Sequence, residues 1–152
     1  MKKLIIPLVL LALIFGFSSD ASAGAACYAV SGEIDFVKVG PVISGTFSGD
    51  LEGTMVVQTT FVGKHGVARF RDLTQTWVVA DSIVEPLIGR TLRFEGFLKG
   101  QINHWPILKT THKLTLVEGA ELGNLTAHGW TDVTDYPYGF VHHSEYHGVI
   151  CP

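Results

Sequence analysis

Apolar and polar residues alternate one for one along most of this chain, and a period of two belongs to a β-strand with one buried and one wet face. Across residues 28–37 one parity carries Tyr28, Val30, Gly32, Ile34 and Phe36, while the other carries Ala29, Ser31, Glu33 and Asp35. The same alternation, rich in β-branched and aromatic residues, recurs over 42–51, 54–61, 67–73, 76–80, 91–98, 108–117, 124–133 and 140–150. Turn-forming clusters separate these runs, among them Val39-Gly40-Pro41, Gly63-Lys64-His65-Gly66, Glu118-Gly119-Ala120 and the segment 134–139. Beyond residue 23 no stretch repeats apolar residues at three- and four-residue spacing for long enough to make a helix. A single helical turn or a longer excursion is expected only within 81–90.

The chain therefore reads as all-β, with about eight or nine strands. Its 17 glycines include two copies of G-x-L-x-G, at 49–53 and 96–100, and a looser relative in Gly123-Asn124-Leu125. Glycine inside a strand marks a bulge, a bend or a crowded inward position, and closing a sheet on itself needs such corners. A small antiparallel closed β-barrel of about eight strands is the expected architecture, with a β-sandwich as the alternative.

The first 23 residues have a different character. Met1-Lys2-Lys3 precedes an apolar run over 4–17, broken only by Pro7 and Gly16, and small residues follow at Ala21-Ser22-Ala23. These are the basic, apolar and cleavage-site parts of a signal peptide. The run reaches only about 21 Å as a helix, short of a hydrocarbon core of about 30 Å, so cleavage rather than stable membrane insertion is expected. Residues 1–23 are read as the signal peptide and 24–152 as one barrel domain, secreted or periplasmic. Gly24 stands where a lipidated Cys27 would ordinarily have a bulky aliphatic residue three positions before it.

Removing Lys2, Lys3 and Asp20 makes the remainder one charge more negative than the −3 of the whole chain. With no cluster of Lys or Arg, the electrostatic footprint of a nucleic-acid partner is absent. The two cysteines, Cys27 and Cys151, sit near opposite ends of the exported part. An oxidising compartment would join them in a disulfide.

The run from Gly45 to Thr54 (GTFSGDLEGT), the later glycine-led strands and Gly123-Asn124-Leu125-Thr126-Ala127-His128-Gly129 together resemble the strand pattern of exported bacterial members of the allene oxide cyclase-like barrel superfamily. The resemblance implies a lipocalin-like closed barrel with an interior cavity. It places no catalytic group of that family on this sequence.

Candidate chemistry lies in two places. A barrel interior can hold a small apolar molecule, and Phe36, Phe47, Phe61, Trp77, Phe94 and Trp130 are the candidate lining, with His112 as an inward polar group among Leu108, Leu114 and Leu116. This reading requires an enclosed apolar cavity, and an interior filled by its own side chains counts against it. The second place is the histidine-rich end. His143, Glu145 and His147 fall on one face of a strand, about 6.5–7 Å apart from one to the next. Two imidazoles and a carboxylate suit Zn²⁺ or another divalent metal, with His128 or Asp132 as a fourth ligand. A solvated terminal strand would show the same residues. His142, on the opposite face, reads as a surface or groove residue.

No G-x-S-x-G elbow and no glycine-rich phosphate loop occurs. The leading expectation is thus a non-enzymatic carrier of a small apolar molecule, with no cofactor. Its alternatives are a divalent-metal protein or metalloenzyme using His143, Glu145 and His147, and an isomerase or cyclase of the resembled superfamily, for which His112 is the one interior polar candidate.

Overall fold

A computed structural model describes residues 26–39, 42–64, 67–104, 106–133 and 139–152. The leader read over 1–23 lies outside the described residues. Eight strands follow one another: β1 (Tyr28–Val39), β2 (Val42–Gly49), β3 (Leu51–Lys64), β4 (Val67–Ser82), β5 (Thr91–His104), β6 (Ile107–Glu118), β7 (Leu122–Asp132) and β8 (Gly139–Cys151). Each pairs antiparallel with the next, and β8 pairs with β1, so the sheet closes into a barrel. No edge is left to template pairing with another chain. Among the described residues no α-helix occurs, and no helix is long and apolar enough to cross a membrane.

The segments 67–73 and 76–80 are one strand, β4. Between them Phe70 pairs with Leu98 and Leu73 with Gly96, so β4 carries one residue more than its partner. Asp72 absorbs the extra residue at φ 52°, a left-handed conformation that Asp tolerates. The run 42–51 is likewise cut at Gly49, whose φ of 111° turns the chain into β3. The Asp50 carboxylate fastens that turn by accepting from the Ser31 backbone N–H at 2.7 Å and the Ser31 hydroxyl at 2.9 Å. The two G-x-L-x-G copies are therefore not equivalent: the first straddles a hairpin and the second lies within β5. A single 3₁₀ turn, Glu85–Leu87, occupies the expected excursion and buries Leu87 in the apolar core.

Alternation places one parity of every strand inside. Val30, Ile34 and Phe36 on β1 face Leu114, Leu125 and Ile150 from other strands in one continuous apolar core. Cys27 and Cys151 form a disulfide that joins the entry of β1 to the end of β8, beside the pair Tyr28 and Ile150. It closes a loop across 124 positions. In the chain-entropy picture such a loop contributes at most about 4–5 kcal/mol. The bond also places the folded chain in an oxidising environment.

Candidate functional site

The interior is not uniformly apolar. Among the described residues the buried polar side chains are Gln75, Thr110, His112, Thr131, His142 and Ser144, and all but Gln75 come from three adjacent strands, β6, β7 and β8. Inward positions on these strands pair across the sheet: His112 with Ala127, Thr110 with Gly129, Gly129 with Ser144, and Thr131 with His142. The middle strand offers only Ala127 and Gly129 at the level of the imidazoles. That small wall lets rings from β6 and β8 meet over it, His112 and His142 lying 4.7 Å apart between centroids. A Cβ on Gly129 would strike the His143 carbonyl oxygen and crowd Ser144, so glycine is required there.

His142 is fully held. Its Nδ1 is 2.7 Å from Thr131 Oγ1, its Nε2 is 3.1 Å from Ser144 Oγ, and Phe36 stacks on its face at 4.1 Å. His142 is thus an interior residue, not the surface or groove residue expected. The face opposite His143 is indeed the one it occupies, but in β8 that face points into the barrel together with Tyr146 and Ile150.

His112 is the reverse case. It is completely buried, yet neither ring nitrogen has a hydrogen-bond partner in the protein, and neighbouring Thr110 Oγ1 has none either. Burial, reinforced by His128, pushes the His112 pKa from 6.5 down to about 3. Burial and the adjacent His112 and His143 hold His142 well below the usual range. Both imidazoles are neutral at pH 7, each carrying one donor and one acceptor nitrogen. No Lys or Arg is buried among the described residues.

Opposite this polar wall lies an apolar one. Phe36, Ile43, Leu73, Leu98, Thr131 and Phe140 surround a cavity of about 10 Å³. That is about the volume that admits a single water. Two of its lining residues contact His142, Phe36 by stacking and Thr131 by a hydrogen bond. Phe140, half-buried and edge-on to Phe36 at 6.0 Å, stands at this end of the barrel.

The expected lining residues divide accordingly. Phe36 and His112 belong to this polar end. Trp77 and Phe94 are fully buried at the other end, where Trp77 packs against Phe47 at 4.3 Å, Phe94 at 5.0 Å and Tyr146 at 5.5 Å. Phe61 lies in β3, but its side chain lies outside the described residues. Trp130 is corrected: it is 48% exposed on the outer face, because Leu125, Ala127 and Thr131 fix the opposite parity of β7 as the inner one.

Of the histidine-rich triplet, His143, Glu145 and His147 all point outward, His143 partly shielded and the other two exposed. His143 Nδ1 contacts Asp35 Oδ1 of β1 at 2.5 Å, and the Trp130 ring packs on it at 4.6 Å. His147 lies beside His128 at 6.2 Å instead. His128 Nδ1 is also 3.3 Å from Thr111 Oγ1. The His/carboxylate group whose ligand atoms lie within 4.8 Å of one another, among the described residues, is Glu33, Asp35 and His143. Sequence reasoning missed Glu33 and Asp35 as partners of His143 because only the β1–β8 register, which sets Asp35 opposite His143, brings them together.

A second concavity, about 320 Å³, lies over β5, β6 and β7 and is bordered by Lys99, Gln101, Lys109, Thr111 and His128. No family model, curated protein or solved structure matches the chain.

Proposed function

We propose that this chain is an exported binding barrel, working in the periplasm or outside the cell, for a small, largely apolar molecule that carries one uncharged polar group. The observation that carries this reading is His112: a completely buried imidazole with two free nitrogens beside a buried hydroxyl, Thr110, that is equally free. Leaving each such group without a partner costs about 1–3 kcal/mol, so a partner from outside the protein is strongly favoured. An uncharged head group is favoured because the imidazoles are neutral and, among the described residues, no Lys or Arg is fully buried, Lys38 on the inward parity of β1 being only half-buried. The apolar remainder of the molecule takes the wall of Ile43, Leu73 and Leu98.

The cavity bordered by Phe36, Ile43, Leu73 and Leu98 holds about one water, so anything larger there must displace Phe36 or Phe140. Export is supported by the leader pattern over 1–23 and by the Cys27–Cys151 disulfide. The resemblance to exported barrels of the allene oxide cyclase-like superfamily supports the same architecture for binding, without their reaction.

The test compares hexanol, hexane and hexanoate as ligands in native mass spectrometry and calorimetry. Hexanol is expected to bind most tightly, hexanoate most weakly, and His112→Leu to abolish the preference for hexanol over hexane. Equal binding of all three, or none, overturns the reading. A second reading, proton transfer by His112 in an isomerase or cyclase, is favoured by its free ring nitrogens, while a pKa near 3 makes the ring a weak base. It differs in predicting that a bound ligand leaves chemically changed.

A further inference from the structure

We infer that the outer face of the β1–β8 seam is a binding site for a divalent first-row cation of the zinc–copper group, with Glu33, Asp35 and His143 as its ligands. The sheet register creates it. Asp35 lies opposite His143, and Glu33 lies opposite Glu145, two like charges on directly paired positions. Such a pair destabilises a sheet unless a cation lies between or beside them. No Lys or Arg occupies an outward position of β1, β8 or β7, whose outward rows here run Ser31, Glu33, Asp35; His143, Glu145, His147; and Thr126, His128, Trp130. The lysines on the outward parity nearest this surface, Lys109 and Lys113, stand on β6, beyond β7, and Lys38 of β1 lies half-buried on the inward parity. Three carboxylates thus share a patch with three imidazoles and no fixed positive charge.

The donor set fits the ion. One imidazole nitrogen and carboxylate oxygens are the ligands that Zn²⁺ and Cu²⁺ accept, at about 2.0–2.2 Å, and open positions are completed by water. Tetrahedral ligands at that range stand about 3.4 Å from one another. The three ligand atoms already lie within 4.8 Å, and Glu33 and Asp35 are exposed side chains free to rotate the rest of the way. His143 is oriented in advance: Trp130 packs on its ring, and its Nδ1 is already directed at Asp35. Glu145 and His147, one step away on β8, border the site rather than form it.

Calorimetry of the untagged exported chain with zinc chloride tests this, alongside quenching of Trp130 emission by Cu²⁺. One equivalent of Zn²⁺ is expected to bind, with affinity reduced about tenfold or more in His143→Gln and in Asp35→Asn. His112→Leu, inside the barrel, leaves Zn²⁺ binding unchanged, which separates this site from the interior one. The Cu²⁺ quench is expected to vanish in Trp130→Phe and in His143→Gln while both retain the wild-type circular dichroism. Absence of Zn²⁺ binding overturns the proposal. So does binding that survives His143→Gln and Asp35→Asn but is lost in His147→Gln, which would move the ion to the His128–His147 side.

Discussion

The two ends of the barrel interior handle buried polar atoms in opposite ways. Around Trp77, polar atoms serve the packing: the indole N–H donates to Gln75 Oε1 at 2.9 Å, and the Tyr146 hydroxyl both donates to the Leu51 carbonyl and accepts from the Leu51 N–H, at 3.3 Å each. Only the Gln75 amide nitrogen lacks a partner there, among the described residues. Around His112, an imidazole and a hydroxyl are buried with nothing in the protein to bond, although Thr131 and Ser144 show that this sheet can hold a histidine fully. One end is built for stability. The other keeps an arrangement that an apolar replacement would improve, which is what a site awaiting an outside partner looks like.

Substitutions at the two ends should therefore differ in sign. Trp77→Ala removes the largest fully buried side chain among the described residues and is expected to cost about 3–5 kcal/mol in urea unfolding, with the barrel still closed by its disulfide. His112→Leu is expected to raise stability by about 1–3 kcal/mol. A loss as large as that of Trp77→Ala would erase the distinction between the ends.

Acid sharpens the same contrast. The folded pKa of His112, about 3, lies below its unfolded value of 6.5, so between these values the unfolded chain binds more protons. Stability is present in full above pH 6.5 and falls as pH drops toward 3, by up to about 1.4 kcal/mol per pH unit from this residue. His112→Leu should lessen that slope in unfolding curves at pH 7, 5 and 4, leaving the share of His142, whose pKa burial also lowers, whereas Tyr146→Phe should leave it intact. Tyr146→Phe is expected to cost about 0.5–1.5 kcal/mol, the smallest effect of the series, through loss of its paired bonds to Leu51. An unchanged midpoint would mean that those bonds add nothing to the apolar end.

The alternation of residues 28–37 was enough to read β1, and the same period carried the all-β class with about eight or nine strands, while the glycines favoured the closed barrel over a sandwich. Strand number blurred at β4 because the bulge at Asp72 resets the parity within one strand, which looks like a turn in a linear reading. Inward facing was legible for His112, flanked by Leu108, Leu114 and Leu116 on one parity, and illegible for His142 and Trp130. There polarity and face are inverted: a histidine points in and a tryptophan out. The reason is three-dimensional, since Ala127 and Gly129 on the intervening strand make room for two imidazoles, and Trp130 finds its partner in His143 on the outer face. The pairing of Asp35 with His143 spans 108 positions and follows from barrel closure, which no local pattern encodes.

The central claim, that His112 waits for a partner from outside the protein, is tested most directly by ¹⁵N NMR of histidine-labelled protein titrated with hexanol at pH 7. The account predicts that the two ring nitrogens of His112 move, with those of His128, His143 and His147 unmoved. Unmoved His112 resonances at saturating hexanol, or shifts confined to the outer-face histidines, would contradict it.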